Sequence, residues 1–299
     1  MKGLLKLVYK MSKIEKLCLC LLVILIITQF RLPTQETFSI QNKKYVLLDN
    51  HSLYDTFYAS VYDNLLFEPN KNAFEVSEIL HYTNTKNKRV LDIGCGTGHH
   101  CDQFNRQNFK CIGLDKSKAM INKAKKNYPT AQFIHGDANQ SILFNPGNFD
   151  LITILYFTIY YIKNKMTVFK NCYEWLDSGG YLAIHLVNKE HFDPIVPAAN
   201  PLIMVNVQDY AKQRITKSKV IFDKFEYHSK FIKDEPAGFH EKFIFKDGNI
   251  RENQHTLYFE TQQKILGYLK QLGFIMKGKI NMYNCGYQNQ YLYILQKPK

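Results

Sequence analysis

The stretch Arg89-Val90-Leu91-Asp92-Ile93-Gly94-Cys95-Gly96-Thr97-Gly98 decides the fold. Its apolar, β-branched first half predicts a buried strand. Glycines at 94, 96 and 98 let the chain bend sharply and admit a ligand against bare peptide groups, because no Cβ stands in the way. A helical pattern follows from His99 to Asn108. Outward from this unit, Lys110 to Asp115, Ala131 to Asp137, Phe149 to Leu155 and Gly180 to Val187 read as further buried strands. Helical stretches at Lys116 to Asn127 and Met166 to Leu176 separate them. Thr261 caps a helix to Leu272, Gly273 ends it, and Phe274 to Tyr283 and Tyr287 to Gln296 supply two closing strands. The expected fold class is α/β, a doubly wound, seven-stranded, mostly parallel sheet, with ligands beyond the carboxyl ends of its strands.

Those strand ends carry acids. A dinucleotide site wants G-x-G-x-x-G, yet His99 stands where the third glycine belongs. Asp92, just before the turn, would repel a pyrophosphate and suits a ligand with a positive centre. The second strand ends at Asp115, followed by Lys116, and a carboxylate there can accept both hydroxyls of a ribose. The third ends at His135-Gly136-Asp137-Ala138, where Asp137 can accept from an adenine amino group while the Ala138 backbone meets the ring edge.

In this order the motifs VLDIGCGTG, GLDKS, HGDA, FDLITIL and LDSGGYLAIHLV resemble the class I, Rossmann-like S-adenosylmethionine-dependent methyltransferases of small-molecule type, over roughly residues 50 to 190. The resemblance implies that S-adenosyl-L-methionine is the cofactor. Gly94, Cys95 and Gly96, with Asp92 nearby, would hold its methionine part. Asp115 would serve the ribose, with Lys116 beside it also counted as cofactor-binding, and Asp137 and Ala138 the adenine. Leu155-Tyr156-Phe157 would face the sulfonium and the acceptor. The other readings are a protein or RNA methyltransferase and a non-catalytic anchored module that keeps the fold; a nicotinamide oxidoreductase is disfavoured by Asp92 and His99.

The acceptor is less legible. Nucleic-acid amino methyltransferases of this class typically follow the fourth strand with Asn or Asp, two prolines and an aromatic, whereas here Leu155-Tyr156-Phe157-Thr158 stands. A small molecule or lipid is the expected substrate. Tyr156 and Tyr160 are the expected pocket residues, with Tyr161 in the core. His185 or His191 could act as a base, but the sequence assigns no catalytic base and no metal. Alternating segments at Lys219 to Lys233, Gly238 to Lys246 and Ile250 to Glu260 predict an antiparallel β insertion, about residues 190–260, over the acceptor site. Tyr54 or Tyr62 would close a lid over the cofactor.

With 299 residues and 45% hydrophobic content the chain can bury a core, which excludes intrinsic disorder. Its net charge of +13 comes mostly from scattered lysine, the mark of a solvated surface more than of a nucleic-acid grip, so nucleic acid is not an expected partner. Seven cysteines without a CxxC pair fit a reducing compartment. Cys95, His99, His100 and Cys101 have no second ligand cluster elsewhere to complete a zinc site.

The N-terminus differs from the rest. Leu17 to Ile27 are apolar without a break, and the run reaches Phe30 between Lys16 and Arg31. At ~1.5 Å per residue it spans about 21 Å against a hydrocarbon core of ~30 Å, within reach if the flanking cations snorkel. Lys2, Lys6, Lys10 and Lys13 lie upstream, opposite apolar residues at helical spacing. We therefore expect residues 1–36 to form a basic N-terminus and a membrane-anchor helix, a single tether, with residues 37–299 the methyltransferase domain. Cys18 and Cys20 are candidate acylation sites. The positive flank would leave the first residues cytosolic and the body across the membrane, in conflict with a cytosolic cofactor. The sequons at Asn50 and Asn139 test the side.

Overall fold

The computed structural model describes residues 12, 14, 44–50, 52–83, 87–200 and 206–299. The chain divides into two compact units, Met1–Lys43 and Lys44–Lys299. The segment expected to anchor the protein lies outside the described residues, and among those described no helix is long and apolar enough to cross a membrane.

The larger unit is built on a seven-stranded sheet. Its strands are β2 (Arg89–Ile93), β3 (Lys110–Asp115), β4 (Gln132–His135), β5 (Phe149–Ile154), β6 (Leu176–Val187), β11 (Ile275–Asn281) and β12 (Gln290–Gln296), in the order β11-β12-β6-β5-β2-β3-β4. The pairs β5–β6, β5–β2, β2–β3 and β3–β4 are parallel, while β12 runs antiparallel to both β6 and β11. β5 is buried at every position, as a central parallel strand covered on both faces must be. The covering helices are α1 (Thr56–Leu66), α2 (Pro69–Tyr82), α3 (His99–Arg106), α4 (Lys118–Asn127), α5 (Thr158–Tyr161), α6 (Lys165–Trp175) and α7 (Gln262–Gln271). Their starts follow capping chemistry: Asp55 accepts from the Tyr58 amide, Ser117 from Met120, and Thr261 from Lys264, as expected for α7. On one side of the sheet Ile152, Leu182, Phe169 and Trp175 form a continuous core, and the Trp175 indole N–H donates to the Ser141 carbonyl at 3.0 Å.

A second sheet has the order β1-β10-β9-β8-β7, with β1 at Tyr45–Asp49, β7 at Lys217–Ile221, β8 at Phe225–Ile232, β9 at Gly238–Phe245 and β10 at Ile250–Thr256. One sequence expectation is corrected here. The segment Lys219 to Lys233 is two strands folded on each other, with the Phe222 amide donating to the Phe225 carbonyl at 2.9 Å; alternation continues across so tight a turn, so periodicity alone does not reveal it. β1, for which the sequence analysis assigns no element, pairs parallel with β10. It is an edge strand, and its stability comes from a partner some 200 residues away in the chain, which local pattern cannot report.

The inner face of this sheet carries Phe225, Tyr227, Phe231 and Phe243, yet also the buried polar residues Ser229, Glu241, Arg251, Asn253 and His255. At Gly238 a Cβ would lie 1.7 Å from the His255 carbonyl oxygen, a backbone atom that cannot turn aside. Gly238→Ala is therefore expected to force β9 and β10 apart and to lower stability by about 1–3 kcal/mol, as overpacking does. Urea denaturation of the full chain measures it.

Candidate active site

The glycine turn after β2 is pinned to the neighbouring strand. The amides of Gly94 and Cys95 donate to the Leu114 carbonyl at 2.7 and 3.1 Å. Gly94 has φ 73°, and a Cβ there would meet the Thr158 side chain at 2.4 Å, so only glycine fits. At Gly96, φ 54°, the nearest atom to a Cβ is Tyr62 Cε1 at 3.7 Å, an ordinary contact distance, and the residue lines the cavity described below.

The strand-end acids surround this turn. Asp115 accepts from the Gly96 amide at 2.9 Å and the Ser117 amide at 2.8 Å. Burial raises its carboxyl above the usual range, and those two amides draw it partly back. Asp92 is 2% exposed and accepts from Thr153 Oγ1 at 2.7 Å; burial raises it too, against the charge of His100 and the Thr153 bond. Asp137 pairs with Lys116 Nζ at 3.0 Å and accepts from the Asn139 amide. Burial would raise its carboxyl, but the bonds from Asn139 and Lys116 outweigh that and hold it low. The Cys95 thiol is pushed well up, first by its hydrogen bond with Cys101 and then by burial, so it is no nucleophile at neutral pH.

Asp92, Gly94, Cys95, Gly96, Asp115, Lys116, Asp137, Ala138 and Leu155 all line one cavity of about 1130 Å³. The three carboxylates therefore share a cleft. An adenosine-bearing sulfonium fits this donor set: acids stand at three successive strand ends, and the missing Cβ of Gly96 leaves room beside them.

The rest of the cavity is aromatic. Tyr54, Tyr58, Tyr62, Tyr156, Tyr161 and Tyr227 line it, so both tyrosines expected in the lid are present. One expectation is reversed. Tyr161 lines the cavity, while Tyr160 is fully buried with its oxygen accepting from the Val187 amide at 2.8 Å. Helix α5 is a single turn, too short for spacing to say which tyrosine faces inward. Tyr156 lines the cavity as expected, and its φ of 53° puts a non-glycine residue in the left-handed region. His185 and His191 are not among the lining residues; His191 is exposed, and burial, then the charge of Lys71, push His185 down to about 3. A neutral, buried His185 is no base for the cavity.

Lys71, Glu75, Glu241 and His255 went unread in the sequence, and His100 was weighed only as a metal ligand. Lys71 pairs with Glu75 at 2.7 Å, His100 meets the same carboxylate at 2.8 Å, and Lys71 Nζ sits 4.7 Å from the centre of the Tyr156 ring. On the second sheet Glu241 and His255 point into the cavity. The available signal was a polar residue at an inward position of an alternating strand, visible only once the inward face is known.

Burial would raise Glu75, but the charge of Lys71 and the bond and charge of His100 hold it down at about 2. A carboxyl whose folded value lies below its unfolded 4.5 stabilises above that pH and loses the contribution as pH falls from 4.5 towards 2. Glu75→Gln should therefore cost about 3 kcal/mol at pH 7, and the difference from the native chain should shrink below pH 4.5. Chemical denaturation across that pH range measures it.

Residues 84–265, more than half of the chain, match the methyltransferase-domain family. A dTDP-4-amino-2,3,4,6-tetradeoxy-D-glucose N,N-dimethyltransferase of Saccharopolyspora spinosa is 30% identical over 46% of this chain and 57% of its own length. A malonyl-[acyl-carrier protein] O-methyltransferase of Ilyobacter polytropus is 32% identical over 45% of this chain and 51% of its own. The chain thus spans about half the length of these curated relatives. Among solved structures, an S-adenosylmethionine-dependent methyltransferase from Clostridium acetobutylicum superposes with a TM-score of 0.60 at 17% identity, over 81% of this chain and 98% of that one. That likeness carries the fold. With the cavity and its acids, the family match places the chain among the class I, Rossmann-like S-adenosylmethionine-dependent methyltransferases.

Proposed function

We propose that this protein transfers a methyl group from S-adenosylmethionine directly to a small organic acceptor held in the aromatic half of the cavity. The observation that carries the reading is the continuity of the cavity, in which Asp92, Asp115 and Asp137 share one space with the tyrosines. The relatives named for amino-sugar dimethylation and malonyl-carrier O-methylation support an acceptor of that kind.

When bound, the sulfonium supplies a methyl group that is already electrophilic. The protein's part is placement. Asp115, held by the Gly96 and Ser117 amides, presents its remaining lone pairs to ribose hydroxyls. Asp137 and the Ala138 backbone would take the adenine edge, and Asp92 would lend negative charge beside the glycine turn. Tyr156 and Phe157, edge to face at 5.1 Å, wall the acceptor in and exclude water. Alignment of this kind can lower a barrier by about 7–11 kcal/mol without a covalent intermediate.

We also propose that residues 1–31 tether the protein to a membrane with the catalytic body on the cytosolic side. The basic, apolar N-terminal pattern supports the tether. The side is supported by Asn50, whose Nδ2 donates to the Thr256 carbonyl at 2.6 Å and whose Oδ1 accepts from the Thr256 amide at 2.9 Å. A glycan on that nitrogen would break the clasp.

Calorimetry on the purified chain is expected to show uptake of S-adenosylmethionine and of S-adenosylhomocysteine. Asp115→Ala should weaken both by about tenfold or more, the loss of hydrogen bonds to a charged group. A folded protein that gives no heat with either ligand defeats the assignment. Deleting residues 1–31 should move the protein from the membrane pellet to the supernatant with cofactor uptake intact, and retention in the pellet would contradict the tether.

A further inference from the structure

The wall contributed by the second sheet holds a chain of hydrogen bonds that placement of the cofactor does not use. Glu241, 5% exposed, accepts from Tyr58 at 2.9 Å, Tyr227 at 2.7 Å and Asn253 at 2.9 Å, and meets His255 Nε2 at 2.7 Å. Burial would raise its carboxyl, yet the charge of His255 and these bonds keep it below the usual glutamate range, so Glu241 is an ionised acceptor. His255 Nε2 must then carry the proton that faces it. Protonated, the ring carries N–H on both nitrogens; in the neutral form that keeps Nε2–H towards Glu241, Nδ1 is an acceptor, and the Tyr161 hydroxyl lies 2.6 Å from it. Glu241, His255 and Tyr161 all line the cavity.

We propose that Tyr161 and His255 form the proton exit for the methyl acceptor, with Glu241 a positioning residue, and that the acceptor is an amine arriving as its ammonium. This rests on the methyltransferase reading above. In the step, an ammonium N–H bond breaks and its electron pair stays on nitrogen as the lone pair needed for methylation. The proton passes to the Tyr161 oxygen while the Tyr161 proton moves to His255 Nδ1, and the imidazolium so formed is balanced by Glu241.

Proton affinities favour nitrogen over oxygen as the acceptor atom. An alkylammonium has a pKa of about 10.4 against about 6.5 for imidazole, whereas a hydroxyl resembling water lies near 15.7. The surroundings favour a cation as well. Facing His255 are Tyr54 and Tyr58 at ring distances of 6.2 and 5.9 Å, Tyr161 at 6.0 Å, and Glu241. Tyr227 reaches it through Glu241, and His240 lies on the adjacent strand β9. Arg251, on the same face of β10, is committed to Asp55, Asn253 and the Leu53 carbonyl. Tyrosine rings around an ionised carboxylate suit an ammonium better than an anion on this wall, while Lys71 lies over Tyr156 elsewhere in the cavity lining.

The test uses the full chain and three matched pairs: cyclohexylamine and cyclohexanol, 2-phenylethylamine and 2-phenylethanol, glucosamine and glucose. Calorimetry with S-adenosylhomocysteine comes first, since failure of the native chain to take it up would overturn the underlying assignment and not the relay alone. Loaded with that ligand, the native chain should bind at least one amine tenfold or more tighter than its alcohol. With S-adenosylmethionine it should methylate amines in preference to the matched alcohols. His255→Gln should keep S-adenosylhomocysteine uptake within threefold, lower kcat/KM roughly 100-fold and alter the pH profile of kcat/KM. Tyr161→Phe, which removes one hydroxyl and guards against misfolding of the histidine variant, should lower the rate in the same direction and shift the Nδ1 resonance of His255 in ¹⁵N-labelled protein. An unaltered pH profile in His255→Gln, alcohols bound or methylated as well as amines, or no amine bound by a chain that takes up S-adenosylhomocysteine would each overturn the proposal.

Discussion

Everything at the centre of this protein depends on the bond between the Gly96 amide and the Asp115 carboxylate. It ties the turn after β2 to the tip of β3, and a second amide, from Ser117, holds the other oxygen at the start of α4. A carboxylate accepting two backbone N–H groups is immobile, and its free lone pairs point where the cleft is open. The turn can approach so closely only because Gly94 and Gly96 occupy the left-handed region without side chains.

Around that junction the molecule keeps charge where apolar packing would be simpler. Glu75 is fully buried between Lys71 and His100, and Glu241 between His255, Asn253 and two tyrosines. Buried ion pairs are weak contributors to stability, because desolvation offsets most of the attraction. Both groups, however, open onto the same cavity through Lys71, His100 and His255. Their cost in folding is matched by a field and a proton path in a place that water does not screen.

The two sheets divide the work. The parallel sheet presents backbone and acids to one half of the cavity, from strand ends whose spacing is set by ladder pairing. The second sheet supplies a wall whose inward residues come from β8, β9 and β10, each adding Tyr227, Glu241 or His255 in register with its neighbour. A slip of one residue would turn all of them to the outside.

The alternating strands and helices, the glycine turn, the acids at 92, 115 and 137 and the cap at Thr261 were legible from the sequence, because each is a local matter of period, backbone freedom or charge at a known strand end. The exchange of Tyr160 for Tyr161, the hairpin inside residues 219–233, β1 and the Glu241–His255–Tyr161 chain were settled by tertiary structure alone. Tyr161 and His255 are 94 positions apart, and Glu241 meets His255 only after β9 and β10 pair. A hydrogen-bond relay has no period and no local energy; it exists only when packing brings its members within about 3 Å, and that is decided by how the two sheets close on one cavity.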